Sequence, residues 1–407
     1  AYRAALHAPI GSPPLRELAR RKKPGTVCIT ISDATRPVPS REFLPFLIEE
    51  LEAGGVSSSQ ITILIGTGMH RRSTPEERDK LIGPAVLKKV RVVDHDATQA
   101  QDLTPLREKT RHGTQPSVNR HYATAELKIV TGFIEPHFMA GFSGGRKGVC
   151  PALVNLETLQ KFHGVGFLEN PNARSGNLAG NPLHEEALDV ARIVGIDFLF
   201  NVTLTGDRKL AGVFAGNSIR AHEAGCRQCE AAAQCEVETP FDFVVTTAGG
   251  LPLDATLYQA GKGLCAPLPV MKEQGARMLA AISLKDGIGS KHFTDIMLEY
   301  DGKVEQFIPD IQKQTKLRTD QWGLEMQVRV LRKTGIAGLV VACDGIPEDL
   351  LAKMSLTPAT KLVGKLPIEK LIQATFDKML ADQPNARIGI LPEGPYLLPV
   401  LKSAAAK

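Results

Sequence analysis

Aromatic residues and long apolar runs are both scarce in this sequence of 407 residues. Aromatic side chains make up 5% of it, and no basic stripe is interleaved with them, so we expect no nucleic-acid partner. No apolar run reaches the length of a membrane span, and no stretch at the amino end has the pattern of a signal peptide. Seven cysteines are an odd number for a disulfide framework, which favours reduced thiols. We therefore expect a cytoplasmic protein without a membrane partner.

The rest of the composition is that of an ordinary globular protein, with 43% hydrophobic and 23% charged residues and a net charge of +5. A chain of this length can form two or three domains. The cysteine cluster at Cys226, Cys229 and Cys235 has only His222 nearby and lies in a helical pattern. Its spacing disfavours a metal site.

Strand-like runs alternate with helical runs, which predicts an α/β fold with mostly parallel sheets. The predicted strands are 26–32, 61–66, 89–94, 126–134 and 197–204, and the predicted helices include 40–55, 73–83 and 181–195. A second series of strand-like runs begins at 243–250 and continues in ARMLAAIS, IAGLVVACD and RIGILPEG.

The first series of strand-like runs ends and the second begins on either side of residues 237–240, so we predict a domain boundary there. We predict an N-terminal α/β domain over 1–237 and a C-terminal α/β domain over 238–390. The remaining tail, 391–407, is apolar enough to pack back on the N-terminal domain.

Chemically active residues follow three of the predicted strands. Asp33 and Arg36 follow the first, His70 follows the second, and His137 and Lys147 follow the fourth. In open parallel sheets, ligands bind outside the carboxyl ends of the strands. Each residue taken alone has an ordinary structural explanation, but their coincidence at three strand ends indicates a functional site.

The stretch EPHFMAGFSGGRKGVCP, residues 135–151, is neither a P-loop nor a dinucleotide-binding fingerprint. In it, Lys147 is preceded by Arg146 and followed by Gly148, where a P-loop has Ser or Thr. We interpret it as a flexible loop that holds the amine of Lys147 against a bulky group. Such a lysine can serve as a covalent anchor.

The second series contributes the segment GGLPLDATLYQAGKG, residues 249–263, which carries Tyr258, Gln259 and Lys262. Tyr258 and Lys262 are four residues apart and share a helix face. A lysine amine together with the guanidinium of Arg36 suits an anionic substrate, because a guanidinium can bind a carboxylate with two hydrogen bonds.

Five segments together resemble the lactate racemase family of nickel-pincer-nucleotide enzymes. They are SDATRPVP, GTGMHR, EPHFMAGFSGGRKGVCPAL, the histidine of KFHG (His163) and PLDATLYQAGK. The resemblance extends from about residue 15 to 395. It implies a racemase or epimerase of a 2-hydroxy acid such as lactate, which depends on separate maturation enzymes for its cofactor.

The resemblance also implies roles for individual residues. Lys147 would carry the cofactor, a pyridinium-3-thioamide-5-thiocarboxylic acid mononucleotide with nickel, and His163 would bind the metal. Imidazole and sulfur ligands suit Ni(II). His70 and His137 would be the acid/base pair of a reversible hydride transfer through a 2-keto acid, and their usual pKa near 6.5 suits this task.

The substrate side is implied in the same way. Arg36 and Lys262 would hold the carboxylate, Asp33 would orient Arg36, and Tyr258 and Gln259 would contact the cofactor. The resemblance places the active site in the cleft between the two domains, where closure would exclude water.

Two alternatives stay open at this stage. In a metal hydrolase, His70, His137 and His163 would bind zinc and Asp33 would polarise a water, but Lys147 and its glycine-rich loop would have no role. The other alternative is a non-catalytic protein that binds nickel or a nucleotide.

Overall fold

The computed structural model describes residues 1–314 and 316–402, which form two compact units. The first unit contains residues 1–163 and 172–232, and the second contains 164–171 and the chain from residue 233 onward. In each unit the main sheet is mostly parallel and is accompanied by helices, so the predicted α/β class is confirmed. Within the described residues, no helix is both long and apolar enough to cross a membrane.

The strands of the first unit are β1 (Val27–Ser32), β2 (Ile61–Gly66), β3 (Arg91–Asp94), β4 (Leu103–Pro105), β5 (Ser117–Asn119), β6 (Leu127–Phe133), β7 (Pro136–His137), β8 (Gly141–Phe142), β9 (Phe198–Leu204) and β10 (Leu210–Gly216). Six of them form the main sheet in the order β10-β9-β6-β1-β2-β3, in which only β10 runs antiparallel to its neighbour. Two short antiparallel ribbons join β4 with β5 and β7 with β8.

The α-helices of the first unit are Tyr2–His7, Leu15–Lys22, Ser40–Ala53, Pro75–Ile82, Pro84–Leu87, Arg120–Ala123, Leu156–Phe162, Pro182–Val194 and Arg220–Ala233, and its 3₁₀ helices are Ser58–Gln60, Ala100–Asp102 and Gly145–Gly148. The helix Pro75–Ile82 begins with a capping box, because the Thr74 side chain accepts from the backbone of Glu77 and the Glu77 carboxylate accepts from the backbone of Thr74. Phe43 and Leu47 pack with the strand residues Ile29 and Ile63 in the core.

The order of the main sheet reverses at β1. The chain passes from β1 to β2 and β3 on one side and places β6 on the other. The carboxyl ends of β1 and β6 therefore border a switch point, which is where ligands bind in open parallel sheets.

The strands of the second unit are β11 (Gln234–Val237), β12 (Phe243–Thr246), β13 (Arg277–Ala281), β14 (Leu339–Ala342), β15 (Thr357–Pro358), β16 (Ile388–Leu391) and β17 (Leu398–Leu401). Its helices are Val165–Leu168, Leu257–Cys265, Lys291–Glu299, Phe307–Lys313, Gln321–Gly338, Glu348–Ala352, Thr360–Val363 and Ile368–Asp382, with 3₁₀ helices at Leu268–Val270, Val304–Gln306 and Gly394–Tyr396. A five-stranded parallel sheet has the order β15-β14-β13-β12-β16, in which the order of the strands reverses at β12.

The cysteine cluster is divided between two elements, which differs from the helical pattern expected throughout it. Cys226 and Cys229 lie in the helix Arg220–Ala233, whereas Cys235 lies in β11. The helix ends because the chain enters a parallel pairing of β11 with β17. β17 belongs to the tail predicted over 391–407, of which residues 403–407 lie outside the described part of the chain.

Candidate active site

Asp33 and His70 form a hydrogen-bonded pair at the carboxyl edge of the first sheet. Asp33 follows β1, and His70 follows β2, where its backbone N–H donates to the carbonyl of Thr67 over 2.9 Å. The Nδ1 atom of His70 lies 2.6 Å from Oδ2 of Asp33. An ionised carboxylate accepts, so Nδ1 carries the proton and Nε2 keeps the lone pair of the neutral ring.

Burial and hydrogen bonding act in opposite directions on Asp33, whose residue is 7% exposed. Burial raises the pKa of this carboxyl, but the hydrogen bond and charge of His70, the Thr35 hydroxyl and the charge of Arg36 outweigh it and lower the pKa overall. Oδ1 accepts from the Thr35 backbone over 3.2 Å and from its hydroxyl over 2.6 Å. The carboxylate therefore stays ionised beside His70.

Asp33 and Arg36 both hydrogen-bond to the hydroxyl of Thr35, which lies between them. Among the described residues, the Asp33 carboxylate bonds to His70 and Thr35, and the Arg36 guanidinium donates to the hydroxyl and carbonyl of Thr35, over 3.2 and 3.4 Å. Arg36 acts on Asp33 through its charge. The geometry also makes Asp33 the hydrogen-bond partner of a histidine.

His137 lies in the short β7–β8 ribbon that follows β6, the neighbour of β1 in the sheet. Its Nδ1 accepts hydrogen bonds from the backbone N–H groups of Met139 and Ala140, over 3.3 and 3.2 Å. Nδ1 must be unprotonated to accept, so the proton of the neutral ring is on Nε2. In the neutral rings, Nε2 is therefore unprotonated in His70 and protonated in His137.

In the glycine-rich segment, Lys147 lies in the 3₁₀ helix Gly145–Gly148. Gly144 and Gly145 have φ values of 72° and 57°, where side chains are strained. A Cβ atom at Gly145 would lie 2.6 Å from the ring of His222. The protein's own packing therefore requires glycine at this position.

Lys147 and His163 lie near each other, beside Phe162, in the first unit. The Lys147 Nζ atom lies 5.4 Å from the ring centroid of Phe162, which ends the helix Leu156–Phe162, and His163 follows directly. Nδ1 of His163 donates to the carbonyl of Leu159 over 3.0 Å, which fixes the tautomer and leaves the lone pair on Nε2. Burial, and then the charge of Lys147, lower the pKa of His163 to about 4. A neutral, oriented imidazole beside an amine fits a metal-containing group anchored on Lys147.

A metal held by protein side chains alone finds no support. Within the described residues, no group of three or more His, Cys, Asp or Glu side chains is arranged to hold a metal ion. This applies to the zinc site considered for His70, His137 and His163, and to the cluster around Cys226.

In the second unit, Tyr258, Gln259 and Lys262 lie on the helix Leu257–Cys265, which follows β12. The Lys262 amine donates to Oε1 of Gln259 over 2.8 Å. The Tyr258 hydroxyl donates to Oδ1 of Asp320 over 3.0 Å, and its ring lies 4.6 Å from that of Trp322. Sequence reasoning missed Asp320 and Trp322, although Trp322 is the one tryptophan of the chain.

A histidine–aspartate pair, a second histidine and a lysine at the carboxyl edge of a parallel sheet are typical of an α/β enzyme. Comparison with protein families agrees with this class. Residues 1–176 match the model of the lactate racemase N-terminal domain, and residues 237–395 match that of the lactate racemase C-terminal domain. The chain belongs to the lactate racemase family, which confirms the family resemblance of its motifs.

Two curated relatives are named lactate racemase. The relative from Thermoanaerobacterium thermosaccharolyticum is 32% identical over 396 residues, and the one from Lactiplantibacillus plantarum is 33% identical over 398. Each alignment covers 96% of this chain and 88% of the relative.

Solved structures share the fold. The lactate racemase apoprotein from Thermoanaerobacterium thermosaccharolyticum is 29% identical, with a TM-score of 0.88 over 99% of this chain and 92% of that one. A Thermotoga maritima protein is 18% identical, with a TM-score of 0.68 over 95% and 96%, a likeness that concerns the fold alone.

Proposed function

We propose that this protein is an isomerase that racemises or epimerises a 2-hydroxy acid such as lactate. The observation that carries the proposal is the Asp33–His70 hydrogen bond, at the sheet edge that also presents His137 and Lys147. Family membership supports the same reaction, since both curated relatives are named lactate racemase.

Lys147 and His163 are the residues that would hold the family's nickel-pincer nucleotide. The amine of Lys147 would form its thioamide link, and Nε2 of His163 would bind nickel, because Nδ1 already donates to Leu159. When bound, the cofactor supplies a hydride acceptor for the substrate's α-carbon, so that the 2-hydroxy acid passes through a planar 2-keto acid.

His70 and His137 would move the hydroxyl proton. Nε2 of His70 takes the proton, and the Asp33 carboxylate stabilises the imidazolium that results. In the neutral ring of His137, Nε2 carries the proton while Nδ1 accepts from two backbone N–H groups, so His137 would take a proton at Nε2 only after its ring changes tautomer. One histidine for each enantiomer would allow hydride and proton to return on either face.

The substrate carboxylate requires positive charge, and Arg36 and Lys262 are our candidates. Gln259 holds the Lys262 amine through Oε1, and Asp320 holds the Tyr258 hydroxyl, so both partners restrict these side chains. We propose that Tyr258 and Gln259 contact the cofactor.

The test is intact mass measurement and peptide mapping of protein produced together with the enzymes that build the cofactor. We expect a nickel-containing adduct on the peptide with Lys147 and interconversion of D- and L-lactate. A panel of chiral 2-hydroxy acids would then be assayed to identify the preferred substrate. The Lys147→Ala variant should lack both adduct and activity. Lys209→Ala, which removes an exposed lysine, is the matched control and should retain both.

Two results would contradict the proposal. One is an unmodified Lys147 in protein that racemises its substrate. The other is full activity after expression in a host that lacks the maturation enzymes, because the chain would then need no separately made cofactor.

A further inference from the structure

A cavity of about 310 Å³ in the first unit lies outside the site described above. Its walls come largely from the helices Pro182–Val194 and Arg220–Ala233. Residues 195–196 precede β9, and Ser218 follows the antiparallel β10, so these lining residues lie at the edge where the parallel strands begin. Asp33 lies at the opposite edge. The cavity extends from that first edge to Arg146.

Arg146 brings a buried positive charge to this cavity. The residue is 3% exposed, and burial lowers its pKa to about 10. It donates to the carbonyl of Ala140 over 2.8 Å, and its Nη1 lies 3.1 Å from Nε2 of His222. Among the described residues, no carboxylate is one of the groups that shift the pKa of the guanidinium, and its buried Nε finds no acceptor. Burying a charge without a partner of opposite sign is costly, so this arginine suits an anion.

Two histidines line the cavity beside Arg146. Burial, and then the charge of Arg146, lower the pKa of His184 and of His222 to about 3. Both rings are neutral at pH 7, and each carries one N–H donor. Nδ1 of His184 is buried and has no hydrogen-bond partner among the described residues. A ligand that reaches this atom would gain a donor without breaking a contact within the protein.

We propose that this cavity is a binding site for a small oxyanion, bound by Arg146 with His184 as a further donor. An anion would supply the missing counter-charge and an acceptor for the guanidinium Nε. Arg192 and Glu223, both exposed, add one charge of each sign to the lining. The site is independent of the proposed racemase function, because it uses neither acid/base histidine nor Lys147. A phosphate group and a carboxylate group share the required chemistry.

The test is calorimetric titration of the full-length protein with inorganic phosphate and, separately, with acetate, at constant ionic strength set by chloride. We expect saturable binding of at least one of them, and the stronger ligand identifies the group that the site prefers. Arg146→Met removes the charge with little change in length, and we expect it to weaken binding by about tenfold or more. Arg227→Met removes a charge from an exposed position on the helix Arg220–Ala233 and should leave binding unchanged.

A second variant keeps the proposal testable if Arg146→Met does not fold. His184→Phe retains a ring of similar size but removes the donor at Nδ1, so phosphate or acetate binding should weaken several-fold. If the cavity is not a binding site, neither phosphate nor acetate should bind. Binding that both variants leave intact would place the anion elsewhere, and either outcome would overturn the proposal.

Discussion

Nδ1 of His70 donates to Oδ2 of Asp33 over 2.6 Å. Asp33 begins a turn whose sequence occurs twice at the same edge of the sheet. Asp-Ala-Thr follows β1 at Asp33 and β3 at Asp96. In both turns, the threonine two residues later donates from its backbone N–H and its hydroxyl to one carboxylate oxygen. Asp96 differs in its other partner, which is Arg72 at 3.2 Å. The chain therefore contains a matched control for the histidine contact.

Replacing Asp33 by Asn keeps the side-chain size but removes the negative charge beside His70. We expect kcat for racemisation to fall by about tenfold or more, because the imidazolium formed during proton transfer loses its counter-ion. KM should change less, since the proposed carboxylate-binding residues are intact. Initial-rate measurements on cofactor-loaded protein would separate the two parameters.

Asp96→Asn disturbs the same type of turn and should leave kcat close to that of the wild type. The free energy of unfolding, measured as a function of pH, gives a second test of Asp33→Asn. The Asp33 pKa is lowered in the folded state, so its contribution is fully present above about pH 4 and is lost as pH falls further. Equal losses of kcat in the two variants would contradict a role specific to His70.

His70 and His137 should hold opposite tautomers in the neutral state. The proton is expected on Nδ1 of His70, which faces Asp33, and on Nε2 of His137, whose Nδ1 accepts from Met139 and Ala140. Nitrogen-15 NMR of histidine-labelled protein at pH 8 would distinguish the two forms. Variants of each histidine to Gln would assign the signals, and identical tautomers would contradict this geometry.

Much of the fold follows from the sequence, because buried parallel strands and amphipathic helices leave local patterns. The predicted strand at 126–134 is β6, and the predicted helix at 181–195 is Pro182–Val194. The short ribbon of His137 was not predicted, since two-residue strands carry no periodicity. The sequence pattern predicts a helix through Cys235, because the strand that Cys235 forms depends on β17, which lies far away in the sequence.

The candidate site was predictable only at the level of strand ends. Asp33 and His70 could be placed at one sheet edge, but the partner of Asp33 could not, because Arg36 and Thr35 are local competitors for the same carboxylate. Asp320, which binds the Tyr258 hydroxyl, is separated from it by 62 positions. Such contacts depend on tertiary packing, which no motif in one sequence encodes.

His163 should remain neutral throughout the pH range in which enzymes usually work. Burial, followed by the Lys147 charge, holds its pKa at about 4, so the proton does not compete with a metal ion between pH 5 and pH 8. Lys147→Met removes the second cause and should raise this pKa, with the midpoint remaining below the ordinary histidine value. NMR titration of the cofactor-free protein measures both. Lys161→Met, a nearby lysine that is not among the causes, is the control, and an unchanged midpoint in Lys147→Met would contradict the assigned cause.

His95 offers a stability test away from the proposed chemistry. It is 0% exposed, its Nε2 lies 3.0 Å from the carbonyl of Val154, and its Nδ1 lies 3.3 Å from Nδ2 of Asn119. Burial lowers its pKa to about 4, despite opposing effects of the Val154 hydrogen bond and nearby carboxylates. The folded protein therefore keeps this ring neutral at pH values where the unfolded chain already binds a proton.

Below pH 6.5, the unfolded state thus gains a proton at His95 that the folded state lacks, and the protein loses stability as pH falls. The loss should be about 1.4 kcal/mol per pH unit from this residue, ending near pH 4. In His95→Gln, whose amide can donate and accept in place of the ring nitrogens, the dependence on pH should be weaker by this amount. Urea unfolding of both proteins at pH 7.0, 6.0 and 5.0 measures the difference. Parallel curves would mean that His95 is protonated in the folded protein as readily as in the unfolded chain.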